Sequence, residues 1–195
     1  LIMPLFLFIV GVAMPFSVGR RIERGVTRAG IYRHTARRVI VLFILGMIAQ
    51  GHLLTFDLDR IHIYCNTLQA IAAGYLVATI ALVHLRIAGQ AALCAALLIG
   101  FWLIMILVPV PGHGAGVLTP DGNLAMFIDE AVLGRFRDGT HYTWILSSMG
   151  FAGSVLLGMF GGHILKSERL TQGRKTFALV GMGVALTAGG LIWSL

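Results

Sequence analysis

Charge is scarce in this chain of 195 residues: 12% are Asp, Glu, Lys or Arg, against 57% hydrophobic. A water-soluble domain carries roughly 25% charged residues, so a soluble globular fold is excluded on composition. Acidic residues are scarcer still, eight against 15 Lys and Arg, for a net charge of +7. There are two cysteines, Cys65 and Cys94. They lie in different apolar stretches, which excludes a disulfide framework. No His-x-x-x-His or Cys-x-x-Cys pattern occurs, so no metal is expected. A Gly-x-Ser-x-Gly elbow is missing too, and the glycine-rich stretches lack the strand–turn–helix setting of a phosphate loop. No internal repeat of the transporter kind is visible.

Long apolar runs are abundant. A hydrocarbon core about 30 Å thick needs about 20 apolar residues in a helix. Six stretches approach that length, near 2–18, 39–54, 66–85, 90–110, 143–165 and 177–195. They predict an all-α, polytopic transmembrane bundle forming one domain over 1–195. The second stretch is short, and its helix is expected to run back through the basic segment before it. Pro15 is expected to kink or end the first helix. Apolar residues begin at the first position with no basic leader ahead of them, unlike a signal peptide. The chain is therefore expected to be a fragment, cut inside or just before a membrane helix. Gly158 and Gly162 form a small-xxx-small pair suited to close helix packing.

The positive charge falls on alternate connections. Arg20, Arg21, Arg24, Arg28, Arg33, Arg37 and Arg38 lie between the first and second stretches, and Arg86 between the third and fourth. Lys166, Arg169, Arg174 and Lys175 lie between the fifth and sixth. Only Arg60, Arg135 and Arg137 fall on the other side, among six of the eight acidic residues. By the positive-inside rule the segment 19–38 is cytoplasmic and the long loop 111–142 periplasmic or extracellular. The basic charge thus reads as a topology signal with an attraction to anionic lipid, and no nucleic-acid partner is expected.

The outer loop is rich in glycine and polar residues, and a connection of that length is often functional. Residues 124–133 have helical spacing and predict a short helix at the outer mouth. Trp144 suits an interfacial anchor. Asn66 and Gln69, three apart at the start of the third stretch, fall on one helical face. They either cap and glue helices or face a cavity. His34, His84 and His163 belong to the cytoplasmic side, and His52, His62, His113 and His141 to the outer side. Histidine moves protons near neutral pH, and His52, closing the second stretch beside Asp57 and Asp59, is the best single acid–base candidate. Arg60, Asn66, Gln69, Asn123, Asp129, His141 and Ser147 complete the candidate substrate- or acyl-donor-binding set.

Several pieces resemble the bacterial relatives of heparan-α-glucosaminide N-acetyltransferase. They are MPLFLFIVGV at 3–12, the stretch 57–75 with its LQAIAAGY core, GVLTPDGNLA at 116–125 running on to Asp129, and WILSS at 144–148. They occur in family order and cover nearly all of the chain. The resemblance implies a membrane acyltransferase with more spans than this chain holds. Such an enzyme takes an acetyl group from acetyl-CoA on the cytoplasmic side of the bacterial inner membrane. It delivers that group to a sugar amine or hydroxyl on the outer side. The family's catalytic histidine falls ahead of Leu1, so the role passes to no histidine here, and the chain alone is expected to be inactive. Animal members carry Arg where this chain has Ala70, so the resemblance does not carry their sugar specificity over to this chain. Membrane lipid, a glycan acceptor and a second copy of the chain are the expected partners. A transporter or export component for a sugar or lipid-linked substrate is the alternative reading, since polar faces inside a bundle serve both.

Overall fold

The computed structural model describes residues 2–55 and 60–193, with the side chain of Trp193 excepted. Among them the fold is all-α. Seven helices follow in order: α1 Ile2–Glu23, α2 Arg28–Ala49, α3 Thr67–His84, α4 Ile87–Leu107, α5 Leu124–Leu133, α6 Ser148–Lys166 and α7 Gln172–Trp193. Short 3-10 turns sit at Leu53–Thr55 and Gly134–Phe136.

Five of the helices, α1, α3, α4, α6 and α7, are long and apolar enough to cross a membrane. The sequence expectation of six spans is met in length but not in composition by α2. That helix does extend back through the basic segment, starting where the Thr27 hydroxyl accepts the Gly30 N–H at 3.2 Å. Four arginines, Arg28, Arg33, Arg37 and Arg38, thereby enter its body and lower its hydropathy. Pro15 does not end α1, which runs on to Glu23. The helix predicted from 143 starts instead at Ser148, because 143–147 form a turn held from outside. The short helix expected in the outer loop is present as α5.

Helix α6 is the hub. It packs on α1, α3, α4 and α7, and its glycines let the neighbours approach. A Cβ on Gly158 or Gly162 would strike the backbone of α1 at Phe8 or Val12, and one on Gly11 of α1 would strike α6 at Val155. A Cβ on Gly74 of α3 would meet the Phe151 backbone and the Val155 side chain of α6, and one on Gly153 would meet the Leu98 side chain of α4. Where a residue has no side chain, two backbones come close enough for many small dispersion contacts to add up. The resulting core holds Leu7, Met14, Ala70, Tyr75, Val155, Leu156 and Met159, each at most 1% exposed.

The cross-contacts fix direction. Gly11 meets Val155 and Gly162 meets Val12, so α1 and α6 run parallel. Tyr32 bonds His84 at one end of the α2–α3 pair, and Gln50 bonds Asn66 at the other, so that pair is antiparallel. Gln90 bonds His163 while Cys94 meets Gly153, so α4 opposes α6. Lys175 bonds the Leu165 carbonyl and Gly161 lies under Met182, so α7 does too. The basic connections therefore gather at one end of the bundle, and the loop 111–142 lies at the other.

Candidate functional site

At the loop end, Asn66 caps α3. Its side-chain oxygen accepts the Leu68 N–H at 2.8 Å and its amide donates to Gln50 at 2.7 Å. Gln69, fully buried, closes the capping box. Its oxygen accepts the Cys65 and Asn66 N–H groups at 2.8 and 3.1 Å, and its amide donates to the carbonyls of Phe43, at 3.3 Å, and Ile63. Both Gln69 hydrogens are thus spent on backbone, and the residue ties α2, the 60–66 turn and α3 into one rigid mouth. Burial, with the Asp138 charge behind it, pushes the neighbouring Cys65 thiol up to about 11, so it is inert as a nucleophile.

Asp129 on α5 is fully buried and performs the matching task for α6. Its two carboxylate oxygens accept the N–H groups of Trp144 and Ile145 at 2.7 and 3.0 Å. Those donors belong to the turn that leads into α6, and the carboxylate satisfies N–H groups that would otherwise be buried without a partner. Burial nevertheless raises the Asp129 pKa; the two backbone bonds and the Arg137 charge oppose the rise without cancelling it. Trp144 stacks on Tyr64 with ring centroids 5.6 Å apart, and the Tyr64 hydroxyl meets Ser148 at 2.9 Å. Burial drives that phenol up to about 12 despite the Ser148 bond. Ser147 bonds Thr143 at 2.7 Å in the same turn.

The remaining predicted residues stand apart. Asn123 caps α5 through the Met126 N–H at 2.8 Å. His141 is exposed and pairs with Asp121 at 3.6 Å. Arg60 sits exposed in the turn before α3, while Asp57 and Asp59 lie outside the described residues. His52 adopts a left-handed backbone, φ +52°, and its ring meets the edge of His62 with centroids 5.7 Å apart. A non-glycine residue held there is strained, and such strain gathers at functional sites. The His62 Nδ1 is buried without a hydrogen-bond partner. Sequence reading found His52 but not its pairing with His62, which needs the turn at Gly51, where His62 N–H donates to the Gly51 carbonyl at 3.0 Å.

The basic end holds a polar cleft that spacing did not reveal. A cavity of about 760 Å³ is lined by the charged and polar residues Arg20, Glu23, His163, Lys166, Glu168 and Arg169, among others. A smaller one, about 270 Å³, adjoins it through Glu23, His163 and Lys166 and reaches Gln90 and Arg86. Lys166 donates to the Pro15 carbonyl at 2.8 Å and to Glu23 at 2.6 Å. Gln90, 2% exposed, gives its amide hydrogen to the Leu85 carbonyl at 3.0 Å. Its oxygen therefore faces His163 Nε2, at 3.2 Å, and can only accept, so His163 donates from Nε2. The legible signal was a lone glutamine and a lone histidine within apolar helices, polar groups that hydrocarbon does not tolerate unpaired.

No group of three or more His, Cys, Asp or Glu side chains arranged for a metal is found among the described residues. No family model and no curated protein matches the chain.

Proposed function

We propose that this chain belongs to a membrane-embedded acyltransferase of the bacterial inner membrane. It receives acetyl-CoA at the cytoplasmic, basic end and serves a sugar amine or hydroxyl at the loop end. The observation that carries the reading is the cleft of about 760 Å³ walled by Arg20, Lys166 and Arg169. That volume lies in the range of ligand sites, roughly 300–1,000 Å³. Its three cations outnumber the carboxylates of Glu23 and Glu168 in the same wall and suit the phosphates of a CoA nucleotide: guanidinium groups grip phosphate oxygens in bidentate fashion, and a lysine adds a point charge. The order of family-like segments along the chain supports the same reading.

Acetyl-CoA supplies the activated thioester. The chain's own residues bind and orient. Arg20 and Arg169 hold the anionic portion, and Lys166, anchored by Glu23 and the Pro15 carbonyl, keeps the cleft wall in register. The His163 Nε2–H points along the inner wall at Gln90. At the loop end the Gln69 and Asp129 clamps hold the entrance rigid, and the His52–His62 pair offers imidazole nitrogen for the proton that an acceptor amine or hydroxyl must lose.

Binding of acetyl-CoA to the protein in zwitterionic nanodiscs tests this reading. Arg20→Gln and Arg169→Gln are each expected to weaken binding about tenfold, the loss of one charge-assisted contact. Failure of the wild type to bind, or binding unchanged in both variants, contradicts it. Passage of sugar across the membrane without acetyl transfer by the protein would favour a transporter instead.

A further inference from the structure

Helix α2 carries Arg28, Arg33, Arg37 and Arg38. Among the described residues, none of the four has a carboxylate within ion-pair distance. The Tyr32–His84 and Gln50–Asn66 bonds lay this helix alongside the whole length of α3. Arg38 reaches Tyr75, its guanidinium carbon 4.5 Å from the ring centroid. From Tyr75 to the basic end of α3 at His84 is nine residues, about 14 Å at 1.5 Å each. An arginine at that depth ordinarily snorkels toward the nearer interface. The Cα–Cβ bonds of α2 already tilt toward its N-terminus, the basic end, yet the Arg38 guanidinium stays on the aromatic face. The hydroxyls of Tyr75 and Thr35, each residue 1% exposed, have no hydrogen-bond partner, so this layer is polar on both helices.

One turn beyond the arginines the character of α2 reverses. Val41, Leu45 and Ile48, at i, i+4 and i+7 on the side of α2 that carries Arg38, are 46%, 45% and 38% exposed. Cations toward the basic end, followed by an apolar stripe toward the loop end, match a phospholipid in the leaflet at the basic end, headgroup first and tails after.

We propose that this flank of α2 is a binding site for an anionic phospholipid. Arg38 takes the phosphate with Arg37 beside it, the Tyr75 ring holds Arg38 in place, and the acyl chains lie along Val41, Leu45 and Ile48. Bidentate guanidinium–phosphate pairing supplies the recognition, and the negative surface potential of the leaflet supplies the attraction. The site is separate from the Arg20–Arg169 cleft and does not depend on acyl transfer.

Melting temperature and the amount of co-purified lipid, compared between phosphatidylcholine and phosphatidylglycerol nanodiscs, test the proposal. The wild type is expected to melt higher in phosphatidylglycerol and to retain it through detergent washing. Arg38→Gln is expected to lose most of that gain and about ten times in lipid retention, while melting like the wild type in phosphatidylcholine. Arg24→Gln, in the exposed turn before α2, is expected to keep both. Should Arg38→Gln fail to fold, Tyr75→Leu removes the platform; it is expected to lower melting in both lipids because a core ring is lost, and beyond that to reduce lipid retention and shrink the phosphatidylglycerol gain. An equal loss from Arg24→Gln would mean diffuse surface attraction and overturn the site. So would full retention in Arg38→Gln or Tyr75→Leu. Inorganic phosphate reproducing the gain in phosphatidylcholine would overturn the choice of a lipid as its source.

Discussion

Gln69 shows how one side chain can organise a membrane-protein mouth. Four backbone groups depend on it, and a buried donor or acceptor left without a partner costs about 1–3 kcal/mol. Gln69→Leu keeps the volume and removes every bond, so it should cost about 3 kcal/mol in thermal unfolding; a loss below about 1 kcal/mol would show that water replaces the amide. Asp129 answers to pH as well as to mutation. Its folded-state pKa lies above the ordinary value because burial disfavours the anion. The folded protein therefore binds that proton more tightly than the unfolded chain, and the contribution of Asp129 to stability rises as pH falls through the folded pKa. It levels off below the unfolded pKa. The melting difference between wild type and Asp129→Asn should shift in favour of the wild type from neutral pH toward the ordinary carboxylate range. A pH-independent difference would contradict this. The spacing of Asn66 and Gln69 was legible beforehand, and so was capping as one of its two meanings. What spacing does not give is the carbonyl of Phe43 on another helix, which consumes the remaining hydrogen and decides between those meanings.

Among the elements, α6 carries the packing and α7 carries little. Gly158 and Gly162 of α6 face the backbone of α1, so Gly158→Ala would drive a methyl group into the Phe8 carbonyl and should cost about 2–3 kcal/mol. Gly189→Ala on α7 meets open space and should be neutral, or gain about 0.5–1 kcal/mol from reduced backbone entropy. Equal effects at the two sites would refute the assignment of α6 as the hub. The small-xxx-small spacing marked Gly158 and Gly162 in advance. Their partner helix was not legible, because spacing shows that a close approach is possible without saying to what. Boundaries followed hydropathy except where polar contacts intervened. The Thr27 cap starts α2 among arginines, and the Asp129 clamp delays α6 to Ser148. Both depend on residues outside the apolar stretch that they bound.

For the whole molecule, alternation is the main result. Charge counted along the sequence divides the connections into two sets, and the helix directions, found independently from contacts, place those sets at opposite ends. That agreement was legible because each hydrophobic crossing reverses the chain, which no local feature can disguise. The cleft at the basic end was not, since Arg20 lies more than 140 residues before His163 and Arg169 and meets them only through the α1–α6 contact. Two native cysteines, both buried, leave little background for the decisive labelling experiment. Arg24→Cys marks the basic end and Asp121→Cys the loop end. A membrane-impermeant maleimide applied to intact cells should label Asp121→Cys at once, and Arg24→Cys only after the membrane is opened. Labelling of both before opening, or of neither, would contradict a bundle whose two ends face opposite sides of the bilayer.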